Sequence, residues 1–235
     1  EVQVAGASGA GPKDATGPDA RAAAQGSGTQ INMIADNLKA ITDRLPSGVK
    51  LVAVSKFHPS EAVLEAYDAG QRIFGESRPQ EFAAKVPRLP SDIEWHFIGH
   101  LQTNKLKMVL PYVSLVQSVD SLHLLDEIDR WGRANGRVTR VLLELHVAAE
   151  DSKQGFYEEE VLNLLFNASK YRNVCFCGLM AMATNTDDME VVRADFERVS
   201  SYMDYLRDLF PEYADFNELS IGMSGDWPLA VECGA

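Results

Sequence analysis

Two stretches of this sequence carry groups suited to chemistry, and each follows a short apolar run. The first is Lys56, in Leu51-Val-Ala-Val-Ser-Lys56. Alternation along an extended strand puts Val52, Val54 and Lys56 on one side. An ammonium above a dry apolar floor loses solvation and its pKa falls, and the neutral amine can then attack an aldehyde to give a Schiff base. The plain alternative is a solvated lysine just past a strand end. The second stretch is Ile221-Gly-Met-Ser-Gly-Asp226, where two glycines and a serine stand between an apolar run and a helix start. Backbone N–H groups turned outward there, reinforced by the helix dipole, form a pocket for an anion such as phosphate. Read plainly, it is an ordinary strand–helix turn with Asp226 as N-cap. It matches neither a P-loop nor a dinucleotide fingerprint.

Other reactive side chains offer less. His96 and His100 are four residues apart but bracket a strand end, so they do not share a helix face as a metal pair does. Lys153, within Asp151-Ser-Lys-Gln-Gly155, is a charged loop residue that can approach an anionic ligand at the rim. No order of Ser, His and Asp, or of Cys and His, suggests a nucleophilic triad. Cys175, Cys177 and Cys233 are too few for a disulfide framework or a zinc site. A bridge between the first two would strain the backbone. A reducing cytoplasm is the expected compartment.

These residues need elements to position them. The chain has 235 residues and a formal charge of −12, from 22 basic and 34 acidic side chains. That balance argues against a nucleic-acid partner, whose phosphates demand clustered cations. No run approaches the roughly 20 apolar residues of a membrane span. In residues 1–30, 20 positions are Ala, Gly, Ser, Thr or Pro, which predicts a mobile tail without a secretory signal. Residues 31–235 form the expected single domain. Apolar runs at Leu51–Val54, Arg72–Gly75, Trp95–Ile98, Leu115–Val119, Val138–Val147, Val174–Met182 and Phe216–Ile221 are each followed by a helical pattern, and a further helix spans Ile31–Leu45. Strand–helix alternation implies parallel strands, in a doubly wound sheet or a (β/α) barrel of the TIM type. A barrel normally has eight strands, and seven are readable.

Taken in order, six motifs resemble the pyridoxal phosphate homeostasis proteins, the YggS/PROSC family. They are Leu51-Val-Ala-Val-Ser-Lys56; Phe74-Gly-Glu-Ser-Arg78 with Gln80-Glu81; Trp95-His-Phe-Ile-Gly99 with Leu101-Gln-Thr-Asn-Lys105; Ser152-Lys153 with Gly155; Gly178-Leu-Met180; and Leu219-Ser-Ile-Gly-Met-Ser224 with Asp226. The resemblance implies a single barrel similar to the N-terminal domain of alanine racemase. It implies that Lys56 holds pyridoxal 5′-phosphate as a Schiff base and that Gly222, Met223 and Ser224 cradle its phosphate. Ser77 and His96 would line the pocket, and Lys153 would touch the cofactor during exchange. A monomeric, non-catalytic carrier or regulator follows, with apo enzymes that use this cofactor as recipients. Two rival readings are a racemase-like or aldolase-like Schiff-base enzyme, and an interaction module without cofactor.

Two departures stand out. Ser77 replaces the family's usual asparagine. The family also ordinarily continues past Glu232-Cys-Gly-Ala235 into an eighth strand, whose arginine faces the pyridine nitrogen. Three arrangements meet that absence: a shortened C-terminus with a weakened site, a partner chain filling the gap, or the N-terminal run Glu1-Val-Gln-Val-Ala-Gly6 lying between the seventh strand and the first. In the last case Gln3 supplies no guanidinium.

Overall fold

The computed structural model describes residues 2–7, 33–149 and 154–235. Each of the seven apolar runs is a strand: β2 (Val49–Val54), β3 (Ile73–Glu76), β4 (Glu94–Phe97), β5 (Leu115–Val119), β6 (Thr139–Glu144), β7 (Val174–Met180) and β8 (Glu218–Ile221). Consecutive members of this series pair in parallel. The helices α2 (Ser60–Asp68), α3 (Pro79–Lys85), α4 (Leu106–Val109), α5 (Leu122–Asn135), α6 (Glu158–Phe166), α7 (Met189–Leu209) and α8 (Trp227–Glu232) follow them in turn, and α1 (Met33–Thr42) precedes β2. The doubly wound alternative is excluded, because the sheet closes on itself.

Closure comes from the N-terminus. β1 (Val2–Ala7) lies antiparallel to both β2 and β8, with Val4 opposite Leu51 on one side and Ile221 on the other. The two open edges implied by seven strands are therefore both paired. Composition predicts a mobile tail over residues 1–30, whereas residues 2–7 of that stretch form this paired strand. Composition averages over thirty residues, whereas a strand needs only a short alternation, and Val2 and Val4 supply it. Val4 is fully buried and packs near Gly222, while Gln3 and Ala5 occupy the opposite, inward face. Gly6 leaves room for the chain at Ala235, since a Cβ there would lie 2.6 Å from its carbonyl carbon. The rest of the expected tail lies outside the described residues.

The outer layer is an apolar core between strands and helices, exemplified by Phe82 edge-on to both Trp95 and Phe97. Burying each such side chain contributes about 1.5–3 kcal/mol. The barrel interior is layered differently. At the strand N-terminal end, Glu218 Oε1 accepts from Lys50 Nζ and Arg140 Nη2, both at 3.2 Å. Above it, Leu115, Leu142, Cys177 and Met180 form a small apolar plug. Of the neighbours Asp120 and Ser121, it is Ser121 that caps α5: its Oγ accepts from the Leu124 N–H at 3.3 Å. Asp120 instead meets His100 Nδ1 at 3.1 Å.

Candidate functional site

In a parallel barrel, the loops after the strands gather on one rim. Ser55 N–H still donates to Gly75 O at 2.9 Å, extending the β2–β3 ladder by one residue. The Ser55 hydroxyl turns to the outer layer and donates to Glu76 Oε1 at 2.7 Å. A Cβ on Gly75 would lie 3.1 Å from Val52 Cγ1 and 3.2 Å from Ile98 Cδ1, so Val52 faces the interior. Alternation from Val52 through Val54 carries on to Lys56, which is half-buried. The next residue, Phe57, adopts φ 65°, a left-handed conformation rare for a bulky side chain.

The Gly222 turn follows β8. Gly222 has φ 87°, and a Cβ there would approach Ala230 Cβ to 2.5 Å, so this tight turn admits only glycine. Asp226 does not cap α8 with its side chain. Its Oδ1 accepts from the Met223 N–H at 2.5 Å and folds the turn back on itself. Ser224 is exposed, and its Oγ accepts from the Val2 N–H at 3.0 Å. Val2 also pairs with Ala53 of β2. One residue of β1 thus links the Lys56 strand to the Gly222–Ser224 turn.

The other expected site residues are scattered in depth. Ser77 follows β3 directly and is half-buried, with its backbone so close to Gly99 that a Cβ there would lie 2.3 Å from Ser77 O. His96 sits deeper, inside the barrel and 4% exposed. Ser220 Oγ donates to Gln117 Oε1, and Gln117 Nε2 donates to His96 Nδ1, both at 2.8 Å. The amide donor fixes the neutral tautomer with its proton on Nε2. Burial, with the positive charges of Lys50 and Arg140 behind it, holds the His96 pKa down to about 3. Lys153 lies outside the described residues. His96 is buried within the barrel whereas His100 lies exposed beside Asp120, and no group of three or more metal-ligating side chains occurs among the described residues.

Several rim residues were not anticipated from the sequence. Glu144 ends β6 and is 7% exposed, and burial, then the nearby Asp120 charge, pushes its carboxyl up to about 7. The alternation Leu142, Glu144 at a strand end was the available signal. Lys85, on α3, is buried and donates to Glu76 Oε1 at 2.5 Å, to Ser55 O at 3.0 Å and to Glu81 Oε1 at 3.0 Å. Burial pushes the Glu76 carboxyl upward, opposed by the hydrogen bonds from Lys85 and Ser55. A cavity of about 480 Å³ lies outside the barrel wall, among Leu38, Val63, Phe74 and Trp227, and is also lined by Ser55, His58 and Ser224.

The chain is similar to several known proteins. The family described as alanine racemase, N-terminal domain, matches residues 30–230. The pyridoxal phosphate homeostasis protein of Haemophilus influenzae is 34% identical over 196 residues, 82% of this chain and 82% of its own. The human protein of that name is 37% identical over 198 residues, covering 79% of this chain and 72% of its own. Among solved structures, PipY of Synechococcus elongatus with PLP bound is 36% identical, with a TM-score of 0.79 over 86% of this chain and 94% of that one.

Proposed function

Because the chain belongs to the pyridoxal phosphate homeostasis protein family, we propose that it binds pyridoxal 5′-phosphate at the barrel rim and serves to hold or supply that cofactor rather than to turn over a substrate. The observation that carries this is the link through Val2, whose strand places an amine-bearing loop and a glycine–serine turn side by side. The bound cofactor supplies an aldehyde that condenses reversibly with a primary amine, and Lys56 offers that amine.

The residues present fit such a ligand. The Gly222 turn leaves no room for a Cβ, as a turn built for close backbone approach requires. Met223 N–H is committed to Asp226, so the Ser224 hydroxyl, which accepts from Val2 and keeps its own proton to donate, is the better phosphate contact. Ser77 borders the same rim. His96, neutral and turned to Gln117, supports the floor below. Lys153 would act at the rim during exchange.

Restraint from turnover follows from what faces the interior. Carbanion chemistry on this cofactor needs acids and bases placed around it. Where the resemblance implies an arginine, β1 presents Gln3, a neutral amide. Recipients would be apo enzymes that use the cofactor. No helix among the described residues is long and apolar enough to cross a membrane, and the cysteines are free thiols, which suits a cytoplasmic setting. The closed sheet leaves no edge strand to pair with a second copy, which favours a monomer.

The test is visible absorbance of the purified protein with added pyridoxal phosphate, then borohydride reduction and peptide mass spectrometry. We expect a reduced adduct on Lys56, lost in Lys56→Ala. Protein that stays colourless, or an adduct spread over surface lysines, overturns the proposal.

A further inference from the structure

Taking Lys56 as the cofactor amine, we infer that Glu81, with the buried Lys85–Glu76 pair behind it, is a positioning residue that keeps this amine turned into the barrel. The inference starts from the two neighbours of Lys56. On one side, Ser55 is held on the outer layer twice: its hydroxyl donates to Glu76 and its carbonyl accepts from Lys85. On the other side, the Phe57 N–H donates to Glu81 Oε1 at 2.8 Å. That same oxygen accepts from Lys85 Nζ at 3.0 Å. With both flanking residues tied to α3, the residue between them has only the interior side left to it.

The backbone shows the hold. Phe57 keeps a left-handed φ of 65° although the residue is 63% exposed, with the Arg78 guanidinium 4.3 Å from its ring centroid. Among the described residues no apolar burial compensates for that conformation, which persists only when surrounding contacts over-determine it. Glu81 supplies the contact, and Lys85 fixes Glu81. The cost of the cluster argues the same way. Lys85 is 6% exposed and Glu76 fully buried, with Glu76 Oε2 lacking a hydrogen-bond partner among the described residues. A buried ion pair of this kind is a poor route to stability compared with apolar packing, and specifying one local geometry is its better-attested use.

The experiment compares wild type, Glu81→Ala, Glu81→Gln and Phe57→Pro. Glutamine keeps an oxygen for both donors, alanine removes it, and proline removes the Phe57 N–H and forbids φ 65° without unpairing any buried charge. The first readout is competitive acylation of Lys56 in ligand-free protein, followed by mass spectrometry and normalised to the exposed Lys107. Glu81→Ala and Phe57→Pro are expected to change the Lys56 rate at least about threefold, with Glu81→Gln near wild type. The second is pyridoxal phosphate affinity from the absorbance titration, expected to weaken about tenfold in the same two variants only. A lowered melting midpoint with unchanged Lys56 acylation means a merely structural role and overturns the inference. If wild type takes up no cofactor, the proposed function fails, while the acylation rates still decide whether Glu81 positions Lys56.

Discussion

Glu144 and His96 are buried groups whose ionisation opposes the fold in opposite directions. The Glu144 pKa is raised from the usual 4.5 to about 7, so the folded state binds this proton more tightly than the unfolded chain does. Its contribution is fully present below pH 4.5 and is lost as pH rises through about 7. His96 is depressed from 6.5 to about 3, so its contribution is present above pH 6.5 and is lost as pH falls toward 3. Between 4.5 and 6.5 the two trends offset one another. Glu144→Gln should therefore stabilise the protein at pH 8 by on the order of 2 kcal/mol. It should also leave stability rising with pH up to about 6.5, the His96 trend alone, in urea midpoints measured across the range. A variant that tracks wild type at every pH would refute the assignment. At this scale, positions that follow from local pattern were legible, such as Lys56 just past β2 and Ser224 in the glycine-flanked turn after β8. Glu144, Glu76 and Lys85 were not, because their character comes from neighbours on other strands and helices, which spacing along one segment does not display.

Among the elements, β7 shows how a strand can hide its most demanding position. The register of β6 against β7 shifts between Val141 and Leu142, opposite Cys177, and Gly178 there adopts φ 146°. A Cβ on Gly178 would fall 1.8 Å from the Glu218 carbonyl oxygen of β8. Gly136, the cap of α5 at φ 63°, has nothing within 4 Å of the same position. Alanine at Gly136 should cost about 1 kcal/mol, the left-handed penalty alone. Alanine at Gly178 adds a backbone collision and should cost about 3 kcal/mol or more. Equal urea midpoints for the two variants would show that β8 yields freely. Gly136 was readable as a helix stop from the polar residues around it. Gly178 was not, because Phe176-Cys-Gly-Leu179 reads simply as an apolar run, and the constraint lives in the backbone of a strand forty residues later.

For the whole molecule, seven strands were legible because burial on both faces leaves short continuous apolar runs. The eighth was readable only as one of three options, since two valines in a small-residue segment carry little signal and an antiparallel strand breaks the alternation. Removing residues 2–7 should lower the melting midpoint and promote self-association by exposing the edges of β2 and β8, as light scattering and thermal unfolding would register. Unchanged melting and a clear solution would mean the strand contributes nothing. The same strand also sets the order in which the molecule must assemble. Val2 and Ser224 stand 222 positions apart along the chain. Doubling such a span costs only about 0.6 kcal/mol of closure entropy, so equilibrium tolerates it. The timing is less forgiving, because contacts this remote in sequence slow the search. The cylinder is thus sealed late, after its parallel staves have gathered, because β1 has a partner on both of its sides only once β8 is in place.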